Sequence, residues 1–442
     1  MDFVTGGLFC IGMLLALMGG GLQIGLAFLL SGFAVSTLLL GFNSSLSLLG
    51  QVSYFSVASP TWACIPLFIL MGSFAALGGF ARRAYTGVNA LSIGMPGSLG
   101  VATCFSCAVF GAISGSSIAT TAIFGKMSLP EMDRLRYDRT FSVGCIASAG
   151  TFASMIPPSM MMIIYALFTQ QSVGKLFAAG IIPGFLTAVV YSISIIYRVR
   201  KNPDLAPSPH ADDPSFMGRG KWKEASQMWP VIVIAVIVLG GIYSGLFTPT
   251  EAAAAGSLVT LLFGFLLGSF RRLNVLITAM KESANTTAML FLINVGALFY
   301  SRVLAVTRLP TELTMMLSHL DVPRIFILIG ILIIMFILGM IMVPVGIYAL
   351  TLPIIFPMLI SLQYDPIWFG VIALKLTEIG AITPPVGLNV YAMKGVIPRS
   401  MNISLEDIFR GIWPFCLCDI IVLVVLIMFP KLSTWLPELL LG

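Results

Sequence analysis

The sequence predicts an all-α polytopic membrane protein of about ten spans, folded as two inverted repeats, each with one re-entrant hairpin and one broken helix. Three observations carry that expectation. Of 442 residues, 58% are hydrophobic and only 10% are charged, whereas soluble domains carry about 25% charged residues. Apolar runs recur that approach or exceed the roughly 20 residues needed to cross a bilayer. Finally, two interrupted stretches in the first half return in the second half at a fixed offset.

The interrupted stretches are GAISGSSIAT (Gly111–Thr120) with GTFASMIPPS (Gly150–Ser159), and ILGMIMVPVG (Ile337–Gly346) with EIGAITPPVG (Glu378–Gly387). The offset between the Pro-Pro pairs is 227 positions, from Pro157 to Pro384. Irregular backbone survives at membrane depth only where it is buried in protein or lines a cavity. Broken segments at corresponding places in two halves are the sequence sign of a secondary transporter's binding site.

Taken in chain order, the spans are expected near 3–20, 23–41, 62–80, 140–169, 176–197, 229–247, 251–270, 284–305, 366–396 and 408–430. The N-terminus lacks the basic stretch of a cleavable signal peptide and reads as a retained first span. Residues 43–61 mix polar and apolar types and suit a helix lying at the membrane interface. The hairpins are expected at 97–128 and 323–360, each made of two stretches too short to span alone. Six segments follow: 1–61 (scaffold spans and interfacial arm), 62–197 (first repeat), 198–228 (a cytoplasmic linker rich in proline and charge), 229–270 (scaffold spans), 271–430 (second repeat) and 431–442 (a tail).

Charge sets the expected orientation. Arg82, Arg83, Lys126, Arg134, Arg136, Arg139, Arg198, Arg200, Lys201, Arg219, Lys221, Lys223, Arg271, Arg272, Lys394 and Arg399 fall on one side only if each hairpin enters and leaves by the same face. That side is then cytoplasmic, and both termini lie opposite. The count makes the repeats antiparallel. FILMG (Phe68–Gly72) matches LINVG (Leu292–Gly296), and AAGIIPGF (Ala178–Phe185) matches FRGIWPFC (Phe409–Cys416). The net charge of +6 sits in short loops and does not imply a nucleic-acid partner.

Candidate chemistry concentrates at the breaks. Ser114, Ser116 and Ser117 offer hydroxyls at the first tip, and a helix starting there would aim N–H groups at an anion. Small residues at such a tip also serve close helix packing. Pro157 and Pro158 remove two backbone donors, so Thr151, Ser154 and the carbonyls around them can complete a site for a hard cation such as sodium. Gly380, Thr383 and the carbonyls before Pro384 are the second-repeat counterparts. Ser159 and Asn389 sit just past the breaks, within reach of a substrate. Lys375 and Glu378 are close enough to pair on one helix face, either as an internal ion pair or as functional groups. Asp419 is a further intramembrane charge with no partner evident in the sequence.

Other readings have less support. Thr248-Pro249-Thr250-Glu251 reads as a helix start with a capping box, rather than as a coupling carboxylate. Cys104 and Cys107 form C-x-x-C, yet no histidine or second pair accompanies them, which favours packing over metal. The seven cysteines lie almost all in apolar runs. An intramembrane serine protease would need a basic partner in the membrane. His210 and His319 both fall in or beside loops, and H-E-x-x-H is absent. A channel would show a continuous polar pore lining, and none is evident.

The motif set FGAISGSSIATTA (Phe110–Ala122), IPPS (Ile156–Ser159), AAGIIPG (Ala178–Gly184), FTPTEAAA (Phe247–Ala254) and ITPPVGLNVY (Ile382–Tyr391) resembles the large membrane (M) subunit of tripartite ATP-independent periplasmic (TRAP) transporters. The resemblance spans essentially the whole chain. It implies an elevator mechanism coupling sodium influx to uptake of a small organic anion across the bacterial inner membrane. It implies two partners, a small four-helix Q subunit and a periplasmic substrate-binding protein. Because the chain begins at the M-type first span, Q is expected as a separate polypeptide. Carried over by motif, sodium would lie at Ser114, Ser116 and Ser117 with Thr151 and Ser154, and at Gly339 with Gly380 and Thr383. Substrate would touch Ser116, Ser117, Pro158, Ser159, Pro385 and Asn389. The chain departs from the family at the second tip, where many members carry aspartate and this one has Val343. The related stand-alone sodium/dicarboxylate symporters carry Ser-Asn-Thr at both tips, and neither tip here does.

Overall fold

A computed structural model describes residues 3–207, 221–318 and 322–442. Every regular element among them is helical. In chain order they are α1 (Phe3–Gly19), α2 (Ile24–Leu40), α3 (Phe42–Ala58), α4 (Cys64–Leu77), α5 (Phe80–Ser92), α6 (Ser98–Ser114) and α7 (Ser117–Arg134). Next come α8 (Arg139–Ala149), α9 (Phe152–Met155), α10 (Met160–Thr169), α11 (Val173–Lys201), α12 (Lys221–Ala225), α13 (Trp229–Tyr243) and α14 (Pro249–Leu266). The remainder are α15 (Leu273–Val306), α16 (Leu309–Ser318), α17 (Arg324–Gly339), α18 (Pro344–Ser361), α19 (Pro366–Ile382), α20 (Leu388–Val396), α21 (Leu405–Met428) and α22 (Lys431–Leu441).

Seven of these helices are long and apolar enough to cross a membrane, and α8–α9 with α10, bent by 43°, make an eighth. The chain is therefore a multi-pass membrane protein. The count is lower than ten because α1, α2 and α19 have 17 residues each, about 25 Å of helix, and α20 is a separate short helix beyond the break. Conversely α18, expected as half of a hairpin, is itself of spanning length.

Three helices were not expected from the sequence. In α5 a buried face of Phe80, Ala81, Ala84, Tyr85 and Val88 repeats at helical spacing, opposite Arg82 and Arg83. Those two charges disguise the period. Helix α16 follows the first long span of the second half, and α22 occupies the supposed tail. Helix α15 begins eleven residues before the expected 284, because nothing from Leu273 onward breaks a helix. The linker has α12 at its end. His210, Arg219 and His319 lie outside the described residues.

Small residues set how closely the helices cross. A Cβ on Gly144 would fall 2.1 Å from the Gly411 carbonyl carbon, and one on Gly411 would fall 2.0 Å from the Thr140 oxygen. Helices α8 and α21 thus meet backbone to backbone. Helix α4 packs on α14, where Ser257 Oγ donates to the Leu67 carbonyl at 2.7 Å. Helix α14 begins with the expected capping box: Glu251 N donates to Thr248 Oγ1, and Thr248 N donates to the Glu251 carboxylate. At the centre runs α19, buried at every residue from Ile367 to Ile382. A helix buried on every side belongs inside a bundle, and α19 positions the site.

Candidate functional site: a cavity between two hairpin tips

The first tip is the turn between α6 and α7. Gly115 adopts φ 63°, closes α6 through its N–H to the Gly111 carbonyl, and would place a Cβ 3.0 Å from the Pro158 oxygen. Left-handed backbone and close approach both require glycine there. Ser116 caps α7, its Oγ accepting from the Ala119 N–H at 3.4 Å. Ser114 Oγ accepts from Thr120 Oγ1 at 3.4 Å.

Behind this tip lies the break from α8 to α10. Thr151 and Ser154 are both buried, and Thr151 Oγ1 donates to the Ser148 carbonyl at 2.7 Å. The first turn of α7 rests on Gly150, whose hypothetical Cβ would meet Thr121 Oγ1 at 1.9 Å and the Ser117 oxygen at 3.2 Å. Thr121 Oγ1 and Ser148 Oγ are buried without a hydrogen-bond partner. Sequence reasoning missed both, since their signal is only a hydroxyl one turn past the tip for Thr121 and just before the break for Ser148.

The second tip joins α17 to α18. A Cβ on Gly380 would lie 2.6 Å from the Gly339 carbonyl carbon, so the tip and α19 touch through bare backbone. Val386 N donates to the Met340 carbonyl at 3.3 Å, tying the tip to the second break. Both Pro-Pro bonds, Pro157-Pro158 and Pro384-Pro385, are cis. Thr383 turns back on its own helix, Oγ1 donating to the Ile379 carbonyl at 2.6 Å. It faces a separate pocket with Phe409, Trp413 and Cys416.

The two tips converge on one cavity of about 150 Å³, room for about five waters at ~30 Å³ each, or for one small organic molecule. Ser116, Ser117, Ser154, Val343, Thr286 and Glu378 supply its most informative walls. Of the expected ligands, the structure gathers Ser116, Ser117 and Ser154 here. Ser114 and Thr151 lie behind the wall, and Gly339 and Gly380 form the second tip's seat. Ser159 caps α10 through the Met162 N–H, and Asn389 donates to the Ala147 carbonyl at 3.4 Å. Neither these two nor Pro158 and Pro385 border the cavity. The contribution of α15 was not foreseen. Its signal was polar Asn285-Thr286-Thr287 within an apolar helix. A larger cavity of about 510 Å³ between α6, α11 and α13 is lined by groups such as Phe105, Phe185 and Val236, and offers nothing to orient an ion.

The intramembrane charges sort differently from the expected pairing. Lys375 does not pair with Glu378. Its ammonium bonds to Asp419 Oδ1 on α21 and to Thr187 Oγ1 at 3.3 Å. Tyr191 OH donates to Asp419 Oδ2 at 2.7 Å. The lysine face of α19 abuts α11 and α21, whereas Glu378 faces the cavity. Asp419 therefore has its partner, and Glu378 has none: both its carboxylate oxygens are buried and unbonded.

Two tips, two broken helices and a cavity between them, set in an apolar bundle, fit a membrane permease. The model of the "Tripartite ATP-independent periplasmic transporter, DctM component" family matches residues 11–432, and the chain belongs to that family. It is 34% identical over 378 residues to the C4-dicarboxylate TRAP transporter large permease protein DctM of Pseudomonas aeruginosa, covering 86% of each chain. It is 32% identical over 382 residues to the ectoine/5-hydroxyectoine large permease protein UehC of Ruegeria pomeroyi, covering 85% of each. Among solved structures it resembles the Alcanivorax borkumensis YdaH transporter, with TM-score 0.63, 16% identity and coverage of 88% of this chain and 89% of that one. This last likeness concerns the fold alone.

Proposed function

We propose that this chain is the large permease of a sodium-coupled uptake system for a small organic anion, a C4-dicarboxylate or a related carboxylate or sulfonate. A periplasmic binding protein delivers the solute, and a small four-helix membrane subunit completes the scaffold. The chain resides in the bacterial inner membrane with its basic loops inward.

The observation that carries this reading is the matched pair of tip-and-break contacts around one cavity. Gly111 would place a Cβ 2.7 Å from the Ala153 Cα, and Gly380 makes the corresponding approach to Gly339. Ala153 and Gly380 are separated by the same 227 positions as the Pro-Pro pairs. Inverted repeats of this kind make pseudo-symmetric half-sites that meet near the midplane. Sodium would sit where oxygen atoms gather without a countercharge: at Ser114, Ser116, Ser117, Thr121 and Ser148 around the first tip, and among the carbonyls beside Gly339 and Gly380 at the second. In an elevator, the tips, α8–α10, α19 and α20, with α11 and α21 packed on them, move as one body against α15 and the helices around it.

The test is uptake into proteoliposomes under an inward sodium gradient, with and without the small subunit and binding protein. Transport that needs all components and sodium supports the reading. Transport by this chain alone would instead make it a stand-alone symporter, and transport indifferent to sodium would remove the coupling.

A further inference from the structure

A second polar cavity, of about 470 Å³, lies where α3, the turn at Pro60–Ala63, the end of α10 and the last turns of α15 meet. Gln51, Ser59, Gln170 and Arg302 line it beside Trp62 and Leu298. No aspartate or glutamate lines it among the described residues. Arg302 is exposed and belongs to neither ion pair found among the described residues, Arg139–Asp133 and Lys375–Asp419. Gln51 Nε2 donates to Ser47 Oγ at 3.5 Å, and Gln170 Nε2 to the Leu167 carbonyl at 2.9 Å. A primary amide has two N–H groups, so each keeps one for a ligand. A guanidinium sharing a cavity with amide donors suits the oxygens of a carboxylate or a sulfonate.

The place of this pocket relates it to the transport path. Arg302 lies near the end of α15 remote from Arg271 and Arg272, which precede that helix. With the basic loops inward, the pocket is on the periplasmic side, where a binding protein would deliver solute. Helix α10 joins it to the central cavity: Met160 and Ile164 border that cavity, and Leu167 and Gln170 border this one. Met160, Ile164 and Leu167 recur at helical spacing on one face, and Ile164 to Leu167 is about 4.5 Å of rise. Helix α3 packs on α15, so the pocket lies between the body that would move and the frame around it.

We propose that this pocket is an entry site for the carried anion: Arg302 receives its carboxylate or sulfonate group, with Gln51 and Gln170 as further donors, before the solute passes along α10 to the tips. The inference rests on the transport reading and adds a step ahead of the central cavity. No lysine or arginine lines the central cavity among the described residues, so Arg302 supplies the positive charge that draws an anion in. A cleft of matching charge raises the rate of capture by roughly 10- to 1,000-fold. A stroke that separates α10 from α15 takes the site apart once the solute has moved on. The same donors suit a phospholipid phosphate, and the test separates the two sources.

All seven cysteines are buried, so a cysteine placed at Ser59, which is partly exposed at the pocket wall, reports on the pocket alone. The purified Ser59→Cys permease with its small subunit, in phosphatidylcholine nanodiscs, is labelled with an anionic (sulfonatoethyl) and a cationic (trimethylammonioethyl) methanethiosulfonate. Relative to free cysteine, the anionic reagent is expected to gain at least about tenfold over the cationic one, and millimolar succinate or isethionate should slow it. Adding Arg302→Gln should abolish both the preference and the protection, whereas Arg302→Lys should keep part of each. A preference unchanged by R302Q, or protection by neither solute, overturns the proposal. Protection by phosphatidylglycerol in the nanodisc, with none from the solutes, gives the pocket to a lipid headgroup and overturns it too. In the complete system, R302Q should raise the KM for uptake of the protecting solute several-fold at a nearly unchanged maximal rate, and an unchanged KM overturns the entry role. Labelling needs no gradient, so failure of sodium-driven uptake would count against the transport reading, and the labelling then decides the site by itself.

Discussion

At the residue scale, the sharpest features are charges and hydroxyls buried between otherwise apolar helices. The Lys375–Asp419 pair is fully enclosed and further bonded by Thr187 and Tyr191. Removing one member of such a pair leaves the other buried and uncompensated, which costs about 3–5 kcal/mol. Lys375→Ala should therefore lower the thermal midpoint of the purified protein sharply. Lys375→Met combined with Asp419→Leu should recover most of the loss. A single variant as stable as the parent would show that the pair does not hold α19 to α21. Ser116 is expected to matter differently. Its hydroxyl caps α7 and borders the cavity, so Ser116→Ala should raise the sodium concentration needed for half-maximal uptake. An unchanged sodium dependence would take Ser116 out of the ion's surroundings.

The element scale is governed by how closely backbones approach at the two breaks. Gly380 meets Gly339 with no space for a methyl group, whereas Gly395 on α20 has nothing within 4 Å. Gly380→Ala should cost about 1–3 kcal/mol through overpacking and should also reduce uptake, since the second tip would be pushed from its seat. Gly395→Ala should be neutral or slightly stabilising, because alanine is the better helix former. Thermal melts of the two variants side by side check this, and similar effects from both would refute the role given to the Gly339–Gly380 contact. The helices missed by sequence reasoning are failures of the same physical kind. Helix α5 hides its period behind Arg82 and Arg83, and α16 is a short helix after a long apolar one. Neither is long or apolar enough to announce itself.

For the whole molecule, the question is whether the tips move against the long helices. Ile118 on α7 and Met289 on α15 border the same cavity. A cysteine at each position, oxidised to a disulfide, should arrest uptake, and reductant should restore it. Full activity of the cross-linked protein would exclude an elevator stroke between these two helices. The largest fully buried helix, α19, contacts α17, α21 and α11, so it would have to travel with them as a packed unit.

Composition and periodicity alone determined the membrane class, most helix positions and the location of both breaks. These are local properties, set by transfer of apolar side chains out of water and by the backbone preferences of glycine and proline. The capping box at Thr248–Glu251 was legible for the same reason, because all its atoms lie within four residues. The partners of the buried charges were not. Lys375 and Glu378 are neighbours along one helix, yet the lysine turns to Asp419, 44 residues away, and the glutamate to a cavity shared with the Ser116–Ser117 tip. Which of two neighbouring charges is neutralised depends on which helices pack on each face of α19. The same is true of Thr286 on α15. Such choices are made by packing between distant segments, and only the tertiary structure decides them.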